Sequence, residues 1–258
     1  MLIADLPFVN SLKVGNFFLK SSSAEEYITH CSRMVLRESE DRSLPMWRCG
    51  SATLLRFANI NYVVMTRHQL NIRRGEIPGK EVLETVRIAA GTDRLSNILL
   101  QDCVFETGNS DEEFHDLLIF RTADNWKTKT ADSPYFFPLA SFSRLPRHLS
   151  RLVGYPTLSG VIDEYHEGFG IESVGEIHIK RSIMDCDFDL NFRSNAFHFR
   201  RYRHHHPEAV MDGYSGGAVF SIIGDLGSYE VVFDGIVVRA GINDLYIIDS
   251  DYLLTVLR

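Results

Sequence analysis

The chain has 258 residues, 45% hydrophobic and 24% charged, close to the ordinary globular proportions of about 45–50% and about 25%. This excludes a wholly disordered or fibrous chain and admits one or two domains. The net charge of −7 argues against a dedicated nucleic-acid binder, which is more often basic. No apolar run reaches the ~18 residues that a membrane helix needs, so no membrane partner is expected. Residues 1–7 carry no basic stretch leading into an apolar one, so no secretory leader is expected. Cysteines 31, 49, 103 and 186 form no C-x-x-C. That argues against a zinc ribbon or a disulfide-dense secreted domain, and for reduced thiols in a cytoplasmic protein.

In chain order, Ser21-Ser22-Ser23 stands before Ala24-Glu25-Glu26. Hydroxyl caps and early acids predict a short helix over 24–30. Short apolar runs bounded by turn residues follow at 51–57, 62–66, 81–90, 98–104, 117–121, 152–155, 173–179, 196–200, 218–223, 231–238 and 245–248. Many short strands without alternating long helices predict an all-β barrel or sandwich. Residues 249–258 carry Tyr252, Leu253, Val256 and Leu257 at helical spacing, which predicts a closing helix.

The sharpest motif is Asp212-Gly213-Tyr214-Ser215-Gly216-Gly217, ahead of an apolar strand. Glycines beside a serine allow a tight turn, converging N–H groups and close approach of a substrate, all of which suit a nucleophile. Such a serine needs a base, and the base needs an orienting carboxylate. The strand 62–66 leads to His68, and Asp116 heads the run Leu117-Leu118-Ile119-Phe120. His115 is the rival base, but successive strand residues face opposite sides. In the order His68, Asp116, Ser215 the intervals are 48 and 99 residues, against about 45 and about 93 in a well-known His–Asp–Ser triad.

With these residues in place, the chain resembles the trypsin-like (chymotrypsin-fold) serine peptidases, in the manner of bacterial, non-zymogen members. The resemblance spans about 32–258 and rests on six segments. They are Gly50-Ser51-Ala52-Thr53-Leu54-Leu55, Val63-Val64-Met65-Thr66-Arg67-His68, Asp116-Leu117-Leu118-Ile119, Gly154-Tyr155-Pro156, Gly213-Tyr214-Ser215-Gly216-Gly217 and Asp234-Gly235-Ile236-Val237-Val238. It implies an all-β fold of two six-stranded barrels, roughly 32–140 and 141–248, after an N-terminal extension (1–31) with its helix and before the C-terminal helix. The implied roles are Ser215 as nucleophile, His68 as base, Asp116 as orienting acid, and the N–H groups of Gly213 and Ser215 as oxyanion hole. No metal and no organic cofactor is implied. Tyr214 stands where zymogen-activated members carry aspartate, and no cysteine follows His68.

By the same resemblance, Ala209, Val238, Arg239, Ala240 and Asp244 would border the pocket for the residue preceding the cleaved bond. Ala209 removes the acid that selects Lys or Arg. Asp244 would offer a negative charge from the opposite wall, Arg239 a positive one, and a small apolar preference is the third reading. His204-His205-His206 cannot converge on one ion in ordinary backbone geometry. Asp185, Asp187 and Asp189 lack the glycine and glutamate of a calcium loop and read as acids alternating along an exposed strand. The expected partner is a protein or peptide substrate, with nucleic acid not expected despite the basic segment 193–206. The implied function is a serine endopeptidase of narrow specificity or under a regulatory partner's control, in a bacterial stress or defence setting. The alternative is an inactive trypsin-fold protein-binding module.

Overall fold

The computed structural model describes residues 10–38, 46–73, 76–89, 97–104, 114–123, 136–156, 181–194, 197–206, 208–225 and 228–258; the side chains of 46–48 and 115 are outside that description. Its order is β1 (Ser11–Val14), β2 (Phe17–Lys20), α1 (Ser21–His30), β3 (Ser32–Glu38), β4 (Met46–Phe57), β5 (Ile60–Thr66), α2 (Lys80–Thr85), β6 (Val86–Ile88), β7 (Leu100–Val104) and β8 (Leu117–Thr122). There follow β9 (Phe137–Pro138), β10 (Arg147–Gly154), β11 (Ser182–Phe188), β12 (Phe199–His204), β13 (Ala218–Asp225), β14 (Ser228–Ala240), β15 (Asp244–Asp249) and α3 (Ser250–Leu257).

Two sheets carry the molecule. The second half forms the ring β13-β10-β11-β12-β15-β14, closed by pairing of β13 with β14. This is the expected six-stranded barrel. The first half forms the six-stranded path β6-β3-β4-β5-β8-β7, with β9 beside β4. Among the described residues that path is open, a half-barrel. The β1–β2 hairpin joins the barrel through a parallel contact of β1 with β14, at Lys13 and Glu230, so part of the N-terminal extension is a continuation of the barrel sheet.

The apolar runs lack strict alternation because both faces of the strands are buried. On β5, Val63 and Met65 enter the core of the first sheet, with Leu118 and Phe120 of β8. Tyr62 and Val64, with Leu117 and Ile119, face the other way into a core shared with Val153, Phe220, Phe233 and Ile248 of the barrel. Ile28 of α1 and Leu253 of α3 enter the same shared core. A third cluster, including Leu152, Tyr202, Tyr214, Val237 and Leu245, fills the barrel.

Several expectations need correction. The run 81–90 is not one strand: Gly79 opens α2, whose exposed Lys80 and Glu84 pair at 3.5 Å across one turn, and only Val86–Ile88 is extended. Helix-forming side chains and an i,i+4 ion pair outweigh a short apolar run there. The first helix begins at Ser21, with Lys20 at its N-cap and no side-chain cap. The run 196–200 marks only the start of β12, which continues to His204. The run 173–179 lies outside the described residues.

A buried polar cluster braces the barrel. Arg147 donates to both oxygens of Asp234 (2.7 and 3.1 Å), and Tyr202 donates from its hydroxyl (2.6 Å). Ser221 also donates to Asp234 and shares a bond with Ser150. Asp234 is wholly buried. Removing one member of such a pair leaves the other charge uncompensated, so Asp234→Ala should cost about 3–5 kcal/mol, measured by urea unfolding. On the barrel's outer side, the hydrogen bond from Arg201 holds the Asp189 carboxyl below the usual carboxylate range. A depressed carboxylate stabilises the fold above the unfolded value of about 4, and that contribution is lost as pH falls below it. Asp189→Asn should therefore show less loss of stability between neutral and strongly acidic solution than the parent.

Candidate active site

Strand β5 ends at Thr66, and a 3-10 turn over His68–Leu70 follows. The expected strand running into His68 is thus a strand and a turn. Asp116 closes a second 3-10 turn, Phe114–Asp116, directly before β8. Because Thr66 pairs with Leu117 across β5 and β8, Arg67 comes beside Asp116 just beyond that pair and the turn that follows brings His68 onto the Asp116 carboxylate. Nδ1–H of His68 donates to Asp116 Oδ2 (2.6 Å), and the His68 backbone N–H donates to Oδ1 (3.1 Å). Arg67 N–H donates to the Asp116 carbonyl (2.7 Å). The Asp116 side chain is 3% exposed and that of His68 51%. A buried carboxylate holding Nδ1–H leaves Nε2, on the open side, as the proton acceptor. Phe114, at the head of Asp116's turn, packs on Tyr252 of α3 (4.4 Å between centroids). The side chain of the rival His115 lies outside the described residues. Arg67 is buried and donates to the carbonyl of Glu76; burial pushes its guanidinium down from its ordinary value.

Ser215 sits on the barrel side, in a loop bolted to the first sheet. Ser51 N–H donates to the Ser215 carbonyl (3.2 Å), and Ser51 Oγ donates to the Gly213 carbonyl (2.7 Å). Thr53 Oγ1 donates to the Gly216 carbonyl (2.8 Å). The Gln69 amide, one residue after His68, donates to the carbonyls of Ser51 (3.1 Å) and Ser215. Gln69 therefore ties the serine loop to the histidine turn. The Ser215 loop is thus tied, through Gln69, to the turn that carries His68 and its partner Asp116. No hydrogen bond joins Ser215 Oγ to His68 among the described residues, a geometry common before substrate tightens a site.

The loop's own shape is specific. Gly213 and Gly216 have φ of +90° and +77°, where a side chain is strained. The N–H groups of Tyr214, Gly216 and Gly217 donate to the carbonyls of Met211, Val237 and Tyr214. Those of Gly213 and Ser215 have no partner among the described residues. Two unspent N–H groups flanking one residue are donors of the kind that a developing oxyanion would need. Tyr214 is buried in the barrel core, where burial pushes its phenol up. An uncharged anchor thus occupies the place that the resemblance assigns to an acid.

The expected pocket residues separate. Ala209 and Ala240, with Met211, border the barrel-interior cluster, and Val238 enters the shared core. Asp244 was expected opposite Ala209. It pairs in register with Arg203 on the outer face, 3.9 Å from both Arg201 and Arg203. Arg239 lies over the ring of Tyr246 (4.5 Å). The neighbouring Leu245 takes the inward position, so strand alternation turns Asp244 outward. The three histidines diverge: His204 is buried beside the Gly241 carbonyl, His205 pairs with Asp187, and His206 lies near Glu208. Asp185 and Asp189 pair with Arg151 and Arg201. Sequence reasoning missed the roles of Ser51, Thr53 and Gln69, which arise only when the two sheets meet.

Among solved structures, the chain is similar to the thermostable serine protease AL20 from an extremophilic microorganism, at 14% identity over 88% of this chain and 95% of that one, TM-score 0.48. It is similar to the protease Anisep from Arthrobacter nicotinovorans, at 17% identity over 89% and 97%, TM-score 0.49. It is also similar to the tobacco vein mottling virus protease, at 12% identity over 86% and 77%, TM-score 0.41. No protein-family model and no curated protein matches the chain.

A Cβ at Gly216 would strike the Ser51 carbonyl. Gly216→Ala should cost at least about 2 kcal/mol, through backbone strain and displacement of the loop, and should lower the thermal midpoint accordingly.

Proposed function

We propose that the protein is a serine peptidase that cleaves peptide bonds through an acyl-enzyme. Ser215 Oγ attacks the substrate carbonyl while His68 Nε2 takes its proton. Asp116 keeps the imidazole in the required tautomer and stabilises the imidazolium. The N–H groups of Gly213 and Ser215 receive the negative oxygen of the tetrahedral intermediate. His68 then protonates the leaving amine, and water repeats the sequence to release the acid. The observation that carries this reading is one conjunction. A buried Asp116 holds His68 Nδ1, and Ser215 lies on a loop tied to the residue after that histidine, where its own N–H and that of Gly213 are without a partner among the described residues.

The apolar surroundings of Ala209, Met211 and Ala240 support a small apolar residue before the cleaved bond. Asp244 and Arg239 lie outside that reading. Narrow substrate choice or partner control remains part of the proposal, as does a cytoplasmic setting with reduced thiols.

Fluorophosphonate labelling tests the chemistry. Labelling should occur in the parent chain and vanish in Ser215→Ala and His68→Ala. Absence of labelling in the parent would instead favour a binding module. Asp116→Asn should lower turnover by about 10⁴-fold, since the asparagine enforces the wrong tautomer. Gln69→Ala should lower kcat by about 10–100-fold with little change in KM, because loop position governs attack geometry.

A further inference from the structure

Outside this site, the outer wall of the barrel carries a cleft of about 310 Å³, at the lower end of the roughly 300–1,000 Å³ typical of small-molecule sites. Its walls combine aromatic rings and guanidinium groups. Phe142, Phe188, Phe192 and Phe197 supply the rings, and Arg144, Arg193, Arg200 and Arg201 the cations. Leu190 and Phe197 on its rim are 73% and 67% exposed, which leaves apolar area for a ligand to cover.

Among the described residues the charges of the cleft are not balanced. Arg200 is matched by Asp249 (2.8 Å) and Arg201 by Asp189 (2.6 Å). Arg193 donates to the carbonyls of Leu190 (2.8 Å) and Phe192 (3.1 Å) and meets no carboxylate among the described residues. Arg144 likewise has no carboxylate partner there. Among the described residues two guanidiniums therefore stand without a carboxylate, and a phosphate monoester brings about −1.5 to −2 charges. Guanidinium forks suit phosphate oxygens, and aromatic or guanidinium faces suit a flat base. Asp189 lines the same wall with its oxygens already taken by Arg201, Arg203 and the Asn191 N–H, so the cleft turns rings and cations toward a ligand. That combination suits a phosphate joined to a flat base.

We propose that this cleft binds a nucleoside monophosphate, with its phosphate on Arg144 and Arg193 and its base against Phe197. The site is independent of the peptidase reading, since it shares no residue with it.

Calorimetric titration of the full chain with AMP, GMP, CMP and UMP tests the proposal. At least one should bind, and inorganic phosphate alone and the matching nucleoside alone should each bind more weakly. The double variant Arg144→Ala/Arg193→Ala should lose about tenfold or more in affinity, the scale of a lost charge-assisted contact. Phe197→Ala should weaken binding while leaving inorganic phosphate unaffected. These side chains are at the surface, and an unchanged melting temperature of each ligand-free variant would verify folding. Three results would overturn the proposal: no nucleotide binding by the parent at millimolar concentration, unchanged affinity in the folded double variant, or binding confined to a phosphotyrosine peptide or a single-stranded RNA oligonucleotide.

Discussion

The hydroxyl of Ser51 is the hinge on which the site depends. It accepts the N–H of Tyr155 (2.8 Å) and donates to the carbonyl of Gly213 (2.7 Å). One wholly buried oxygen thus links the end of β10, the serine loop and the first sheet. A net hydrogen bond is worth only about 0.5–1.5 kcal/mol, but a buried group left unpaired costs about 1–3. With Thr53 and Gln69 beside it, Ser51 makes the two sheets agree on one docking geometry. Apolar burial drives the sheets together without direction, and these polar contacts set the register of the loop.

How much of this could be read from residues follows from the range of the interactions. Strands β5, β8, β13 and β14 announce themselves because burial on both faces produces dense apolar runs. His68, Asp116 and Ser215 stand out as candidates because each lies at the end of such a run or in a glycine-rich turn. The β1–β2 hairpin escapes notice: four-residue strands with Phe17 and Phe18 exposed depend on β14, far along the chain. Asp244 misled because alignment to a pocket wall does not say which face of β15 its side chain takes. The neighbouring Leu245 decides that, by filling the barrel. Gln69 carries no local signal at all, since its partners belong to the opposite sheet.

The acidic chain buries several carboxylates, and each is answered nearby. Asp234 is held by Arg147 and Tyr202. Asp249 accepts from His198 (2.9 Å), pairs with Arg200 and caps α3 at the Tyr252 N–H (3.2 Å). Burial pushes the Asp249 carboxyl up, against the pull of Arg200 and His198. Through Tyr252 this acid also supports Phe114, and so the turn that presents Asp116. Local neutralisation lets a chain of net negative charge still present an arginine-rich cleft.

The joining of Lys13 to Glu230 (3.3 Å, 217 residues apart) has a consequence for how the molecule is made. During synthesis the first strand leaves the ribosome long before its partner exists. Paired on one edge with β2, it must leave the other edge open for nearly the whole chain, and closing so long a loop is entropically slow. Any product cut short before β14 leaves β1 with an open backbone edge, the kind of surface on which strands of other molecules add. Incomplete chains should therefore be selectively prone to aggregate, while the finished chain covers that edge with its own last segments.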